Sequence, residues 1–453
     1  MRPHATLFLA LGATLRASLN GSDYLPQYAA SPQGTGGYVA GHLIGGEGAH
    51  HARVVGRGVL DGQCQQFLTG LGRGPNEPTQ FTFRPLSIPG HGEIRVGVIA
   101  FAHSVDVAVE GVTLSDSHAW TAAFFNVTGL VVANVNVYGD WRMPNNDGLD
   151  ICSCTDVLVD GVNIDTGDDC ISPKTNVLRG DGSGGFLPLH NLTVRNSRLR
   201  SRSFGVKWGT ETRGDMSEVR FDNIQIHNAH HGIGIDWRGA GHFRDATFTN
   251  INLLRTSWVG SGSYLDQNWM GAAQSISITN NRELLGPGEV PGTISNVLFE
   301  NITTVSENSA VYVSACTEHG KATYDSHGLC TEGLPPGAIS NITFVNVVAV
   351  IQQNPGNNAS NGPHTSHDDT TGSRNAAPID AFFVEYASDV TFHGCSAAFA
   401  GAPAVSTDCN LKGGCENIFG VCLRIGNGTS SGQPQSLVAC VPPATALEPV
   451  SAT

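Results

Sequence analysis

Val107-Ala108-Val109-Glu110-Gly111-Val112 returns as Leu130-Val131-Val132-Ala133-Asn134-Val135 and again as Val157-Leu158-Val159-Asp160-Gly161-Val162. Each copy alternates apolar residues with others, the two-residue period of a strand with one buried face. Each then places Gly or Asn where the chain must turn, the residue types that tolerate a left-handed backbone. Looser copies follow at Leu192-Thr193-Val194-Arg195-Asn196-Ser197, Phe221-Asp222-Asn223-Ile224, Phe248-Thr249-Asn250-Ile251, Phe299-Glu300-Asn301-Ile302, Phe344-Val345-Asn346-Val347 and Phe392-His393-Gly394-Cys395. With the Asn or Gly as anchor, the positions are 111, 134, 161, 196, 223, 250, 301, 346 and 394, spaced by 23, 27, 35, 27, 27, 51, 45 and 48 residues. A unit this short cannot bury its apolar face alone, so units stack. Strand-only repeats of roughly 22 to 30 residues predict an all-β parallel β-helix of about ten coils, not a leucine-rich repeat with its Leu lattice. The wider spacings after 250 predict coils with inserted loops, and stacked Asn predict an amide ladder along the turns. A large antiparallel sandwich with chance spacing is the competing reading.

The 453-residue chain carries a net charge of -14, with 56 Gly and 22 Pro, the composition of a folded, turn-rich protein. That charge argues against nucleic acid and acidic membrane surfaces as partners. Residues 1–18 read as a signal peptide: Arg2 precedes an apolar run from Ala5 to Leu15, and small residues follow. Seven Asn-X-Ser/Thr sequons, at Asn20, Asn126, Asn191, Asn301, Asn341, Asn358 and Asn427, point the same way, to a secreted glycoprotein. Cys409, Cys415, Cys422 and Cys440 form a cluster suited to disulfides, and the odd total of 11 Cys leaves at least one thiol free. Residues 19–425 read as one domain with a loop excursion over 354–378, and residues 426–453 as a polar tail.

Within the repeat lie Asn145-Asn146-Asp147-Gly148-Leu149-Asp150 and Asp165-Thr166-Gly167-Asp168-Asp169-Cys170, five Asp in two short stretches of a chain only 14% charged. Carboxylates gathered so densely repel one another. A fold keeps them together to bind a hard cation, or to divide acid and base work between coupled carboxyls. Asp147 and Asp168 are 21 residues apart, close to one coil, so both reach one cleft. Phe204, His231 and Trp258 each stand 8 residues after their anchors, Lys207 stands 11 after and Asp236 13 after. Trp120, Trp141, Trp208, Trp237 and Trp258 fall in the same region, where rings stack on sugar faces or fill corners between strands.

The two Asp-rich stretches resemble the Asn-X-Asp-Gly and Gly-Asp-Asp-Cys motifs of glycoside hydrolase family 28, which contains polygalacturonases and rhamnogalacturonases. The resemblance implies a right-handed parallel β-helix and hydrolysis with inversion. It makes Asp168 the general acid, with Asp147 and Asp169 activating the attacking water. The chemistry fits independently, since an inverting glycosidase divides acid and base roles between carboxyls about 6.5–9.5 Å apart. Two family motifs are missing. Ser203-Phe204-Gly205 stands in place of Gly-His-Gly, and Gly232-Ile233-Gly234-Ile235-Asp236-Trp237 holds Gly and Asp in place of the Arg and Lys that grip galacturonate. Asp236 is therefore expected to repel a uronate. The expected substrate contacts are Asn145, Lys207, Trp208, His231, Asp236 and Trp237, with His230 beside His231 as a substitute for the missing His.

Rival readings are a Ca²⁺-dependent polysaccharide lyase, a non-catalytic glycan-binding β-helix, and a zinc site at Cys152, Cys154 and Cys170. Two Cys one residue apart suit tetrahedral zinc poorly, and a disulfide from Cys170 to one of the other two is the expectation. The reading is a secreted, monomeric, pectinase-like glycoside hydrolase with altered specificity, acting on a polysaccharide without metal or cofactor.

Overall fold

Every anchor is a turn residue in the left-handed region, with φ between +53° at Asn134 and +74° at Gly111. The computed structural model describes residues 1–24, 41–71, 81–83, 86–88, 92–256, 274–306, 309–315, 333–335, 337–352, 381–400, 409–412, 416–426 and 438–439. The strands leading into the anchors pair in parallel, coil upon coil. One register line runs Val107, Leu130, Val157, Leu192, Val219, Ala246, Val297, Ile342, Val390. Among the described residues there is no α-helix, only the 3-10 turns Gly21–Asp23 and Cys64–Phe67. The parallel β-helix expected from the repeat is the observed architecture.

The repeat's apolar positions fill the inside. Phe248 lies 4.6 Å from Phe299, Phe299 5.1 Å from Phe344, and Phe344 4.9 Å from Phe392, with all the rings nearly parallel. Offset-stacked rings on successive coils add attraction beyond their buried area. Phe248 pairs in register with Phe299 although 51 residues separate their anchors, so the wider spacing does not interrupt the stacking of coils. The amide ladder is present too: Asn223 donates to Asn196 (2.8 Å), Asn301 to Asn250 (3.3 Å) and Asn346 to Asn301 (3.2 Å). A second ladder joins Asn341 to Asn296 (2.6 Å) and Asn296 to Asp245 (3.1 Å).

These turns also explain several sequons. Asn126, Asn191, Asn301 and Asn341 all have positive φ. Each lies inside a long strand that it bends, with the β-favoured residue Thr two places on, so Asn-X-Thr arises from the bend itself. The Nδ2 groups of Asn191, Asn301 and Asn341 are donated to neighbouring coils.

The sheet that bears the site stacks Gly41–Glu47, the start of Val96–Glu110, the start of Ala122–Ala133, Leu149–Cys152, Ile171–Lys174, Phe204–Trp208, His231–Trp237, Ile276–Asn280, Val311–Ser314, Phe382–Glu385 and Cys409–Lys412. Within the stretch read as a signal peptide, Thr6–Leu9 pairs with Arg53–Gly56, and Thr14–Arg16 with Val59–Asp61. Gly12, at φ +84°, breaks the apolar run into these two strands, and Leu9 and Ala17 are buried. One expectation is corrected: Cys152, Cys154 and Cys170, expected to form a disulfide, are free buried thiols. The Cys170 Sγ contacts the Arg200 carbonyl oxygen (3.0 Å), whereas the Cys154 Sγ contacts the Phe124 carbonyl oxygen (3.4 Å). The excursion over 354–378, Trp258, the side chains of the Cys409 cluster and nearly all the tail lie outside the described residues.

Candidate active site

The two Asp-rich stretches are the turns that lead into Leu149–Cys152 and Ile171–Lys174, adjacent strands in register. Their backbones touch: the Gly148 N–H donates to the Asp169 carbonyl oxygen (2.8 Å) and Leu149 N–H to that of Cys170 (2.9 Å). Glycine is required at 148, because a Cβ there would meet the Cys170 oxygen at 2.4 Å. Turns packed so closely bring one oxygen each of Asp147, Asp168 and Asp169 within 4.8 Å of one another. Asp168 accepts the N–H groups of Asn145 and Asp169, both at 3.0 Å. Asp169 Oδ1 accepts from Ser203 Oγ (2.5 Å) and the Phe204 N–H (3.2 Å), while Lys207 Nζ lies 3.7 Å from its Oδ2.

All three carboxyls are buried. Burial pushes Asp147 well above the usual carboxylate value, and Asp150, Asp168 and Asp169 push it further, against a pull from Lys174. Asp169 is pushed from 3.8 to about 6, mainly by burial, with Lys207 opposing and Asp168 adding. One oxygen of Asp147 has no hydrogen-bond partner among the described residues. The cluster is thus a proton-holding set beside a cation. Its spacing would also suit a hard metal ion, although the Lys207 ammonium already supplies positive charge there.

Several expected contacts stand at this site. Asn145 accepts from Arg95 Nη1 (2.9 Å) while its own N–H holds Asp168. Lys207 lies over the Phe204 ring (5.0 Å). His231, one coil beyond Phe204 in register, stacks on that ring at 4.3 Å, and its Nδ1 is 2.8 Å from His230 Nδ1. Asp236 lies two coils beyond the triad on the same outward face, but not as a free charge. It accepts from Arg238 Nε (2.8 Å) and Thr279 Oγ1 (3.1 Å), and Arg238 also holds Glu283. The expected repulsion of a uronate by Asp236 is therefore offset by a buried guanidinium.

Trp208 and Trp237 are not substrate contacts. Both are fully buried inside the coil. Trp208 packs against Phe221 (5.2 Å), Phe243 (5.7 Å) and Phe248 (5.4 Å), and Trp237 donates Nε1–H to the Gly241 carbonyl oxygen (2.6 Å). The strand period explains it: if Lys207 faces out, its neighbour Trp208 faces in, with Val206. Trp141 is tied to Asp165 (2.6 Å) and covered by Arg200 (4.4 Å).

The motifs did not reveal Lys174, Glu211, Ser203, Arg95 or Arg238. Lys174 left one signal, as the sole Lys or Arg between Arg142 and Arg179 in a stretch holding seven Asp.

Residues 33–328 match the family model for glycosyl hydrolases family 28. A probable polygalacturonase of Vitis vinifera is 25% identical over 281 residues, covering 59% of this chain and 54% of its own length. Exopolygalacturonase B of Aspergillus niger is 25% identical over 272 residues, covering 56% and 54%. The chain spans about half the length of these curated relatives. Among solved structures, a family 28 exopolygalacturonase from Yersinia enterocolitica superposes with TM-score 0.61 at 15% identity, over 92% of this chain and 69% of that one. A polygalacturonase from Erwinia carotovora ssp. carotovora gives TM-score 0.53 at 18% identity, over 77% and 81%. The likeness shows the fold, a right-handed parallel β-helix.

Proposed function

The chain belongs to glycosyl hydrolases family 28, and from that premise we propose that it hydrolyses O-glycosidic bonds of a pectin-type polysaccharide at Asp147, Asp168 and Asp169. The observation that carries this reading is the convergence of those three carboxyls, from two turns of adjacent coils, within 4.8 Å. Asp168 gives its proton to the glycosidic oxygen as the bond to the anomeric carbon breaks. Asp147 and Asp169 take the proton of the water that bonds to that carbon from the opposite face, which inverts it. The spacing is tighter than the usual inverting separation of about 6.5–9.5 Å, so the water rests against the pair of bases at the edge of the triad.

One observation favours a second assignment. Asp147 is the carboxyl that burial and its neighbours push well above the usual range, and one of its oxygens is unbonded. Those are properties of a proton donor, with Asp168 then on the base side. A substrate with a phenolate leaving group needs no acid. The variant that keeps its activity on such a substrate, Asp168→Asn or Asp147→Asn, identifies the acid.

Substrate selection in this reading falls to Asn145, Lys207, His231 and Asp236, with Lys207 meeting a sugar carboxylate or sulfate. Phe204, in place of the family's His, closes the cleft floor with an apolar ring that stacks on His231. The test is reducing-sugar release from polygalacturonate, rhamnogalacturonan, xylogalacturonan, neutral α-glucans and sulfated algal glycans, with and without EDTA. Release unaffected by EDTA and lost in Asp168→Asn and Asp147→Asn supports hydrolysis, with NMR of the first product giving its anomeric configuration. Products absorbing as unsaturated uronides would reject hydrolysis in favour of elimination. Action outside the cell is part of the proposal, since its substrate class is extracellular. Fractionation with N-terminal sequencing tests export and whether residues 1–18 are retained.

A further inference from the structure

A second recess lies on another face of the solenoid. After Phe204–Trp208, His231–Trp237, Ile276–Asn280 and Val311–Ser314 the chain turns out of the catalytic sheet into Met216–His227, Phe243–Thr256, Ile294–Ser306 and Ile339–Gln352, which stack in parallel. The first halves of these four strands carry an open groove of about 460 Å³. Its floor is one outward register line, Arg220, Thr247, Leu298 and Thr343. Strand alternation sends the flanking residues, such as Ala246 and Phe248 or Val297 and Phe299, into the core. One wall is the ladder of left-handed bends at Asp245, Asn296 and Asn341, where Asn341 donates to Asn296 (2.6 Å) and Asn296 to Asp245 (3.1 Å).

The chemistry of the lining defines what fits. The side chains of Arg220, Thr247 and Thr343 make no hydrogen bond or ion pair among the described residues, so one guanidinium and two hydroxyls keep their bonding capacity for a ligand. Leu298 sets an apolar patch between the two Thr. Polar groups around a small apolar patch suit a sugar ring, which is polar at its edges and apolar on its C–H face. The spacing points the same way. Successive coils rise by about 4.8 Å, close to the length of one sugar unit in an extended glycan. A chain laid along the solenoid axis therefore meets the floor and the ladder afresh at every unit. Charge narrows the choice, since two lining carboxylates, Glu218 and Asp245, stand against the one lining cation, Arg220. A run of uronates gains nothing from that balance, whereas an uncharged run is indifferent to it.

We propose that this groove is a second glycan-binding site, separate from the three aspartates, which holds an uncharged stretch of a polysaccharide along the solenoid axis. It rests on the hydrolase reading above only for the class of polymer. A polymer held there keeps its other bonds at raised local concentration beside the aspartates, whereas a short oligosaccharide cannot reach both sites.

The test is affinity electrophoresis of the full chain through gels holding linear galactan, linear arabinan, highly methyl-esterified pectin or polygalacturonate. Retardation is expected in at least one of the first three and is weaker in polygalacturonate. Leu298→Glu and Thr247→Glu, which put a carboxylate on the groove floor, should each abolish it. Arg220→Ala should weaken it, and Asp168→Asn should leave it unchanged. On the retarding polymer, KM of the Leu298→Glu variant should rise roughly tenfold at constant kcat, while its rate on a short oligosaccharide stays that of wild type. If one Glu variant does not fold, the other decides. No retardation in any gel, retardation by polygalacturonate alone, or retardation that survives both Glu variants overturns the proposal. So does an N-glycan on Asn341 in the native protein, found by mass spectrometry, because the groove would then hold that glycan. Retardation lost in the Glu variants, with no turnover of any polysaccharide by wild type, refutes the hydrolase reading and leaves the groove standing. Turnover by wild type with retardation unaltered in the Glu variants refutes the groove alone.

Discussion

Replacing Asp169 by Asn is expected to stabilise the protein near neutral pH while removing its activity. The Asp169 carboxyl is pushed from 3.8 to about 6, mainly by burial, with Lys207 pulling it down and Asp168 pushing it up. Its folded value therefore lies above its unfolded one. Its contribution to stability is complete below the unfolded value and is lost as pH rises through about 6. A displacement of about two units corresponds to about 3 kcal/mol between those limits. The residue is 3% exposed, so solvent screening takes little from that figure. Asn retains an Oδ1 that accepts from Ser203 Oγ (2.5 Å) and the Phe204 N–H (3.2 Å). The attraction of Lys207 at 3.7 Å is already contained in that net displacement. The gain near pH 8 is about 3 kcal/mol, or roughly 3 °C in melting temperature for a chain of this length. Near pH 4, where Asp169 is largely protonated, the gain should be mostly gone. Thermal melts by circular dichroism across this range, with reducing-sugar release alongside, check both halves. A variant that melts lower than wild type near pH 8, or a difference that does not vary with pH, would refute the argument that burial destabilises the ionised carboxylate.

Asp168→Asn should show the opposite stability change although it sits next door. Both Asp168 oxygens accept backbone N–H groups, and an Asn amide turns one NH2 against such a donor. The expected loss is about 1–3 kcal/mol by denaturant titration, together with turnover on polysaccharide. Phe299→Ala opens a hole in the ring stack between Phe248 and Phe344, and should cost about 3–5 kcal/mol in the same titration without a change in the pH profile of the remaining folded enzyme. Gly234→Ala places a Cβ 2.4 Å from Phe204 Cε1. The ring must then swing off His231, and a raised KM on the best substrate of the panel is the expected readout.

The coil repeat was legible because its turns are chemically demanding. A left-handed backbone at each coil admits Gly and Asn far more readily than other residues. The nine anchors therefore reported the winding of the chain even where 51 residues separated two of them. The acidic motifs were legible for a similar reason, since carboxylates, Gly and Asn are confined to two turns one coil apart. Direction was harder to read. Trp208 and Trp237 looked like sugar platforms because aromatic residues serve both inside and outside a coil. Which face they take follows from strand phase, and the outward Lys207 shows that phase only once the register of Ile171 on Val206 is known.

What the sequence by itself determined is the solenoid, the position of the three aspartates on it and the family chemistry they resemble. Those follow from local turn geometry and a period of about one coil. Tertiary structure alone decided the charge balance. Lys174 meets Glu211 across 37 residues and Arg238 meets Glu283 across 45, by parallel stacking and loop closure that no local pattern encodes. It also decided that residues 1–18 lie as strands against Arg53–Gly56 and Val59–Asp61. An apolar run by itself names no strand partner, because parallel pairing depends on which strand edges the fold brings beside it.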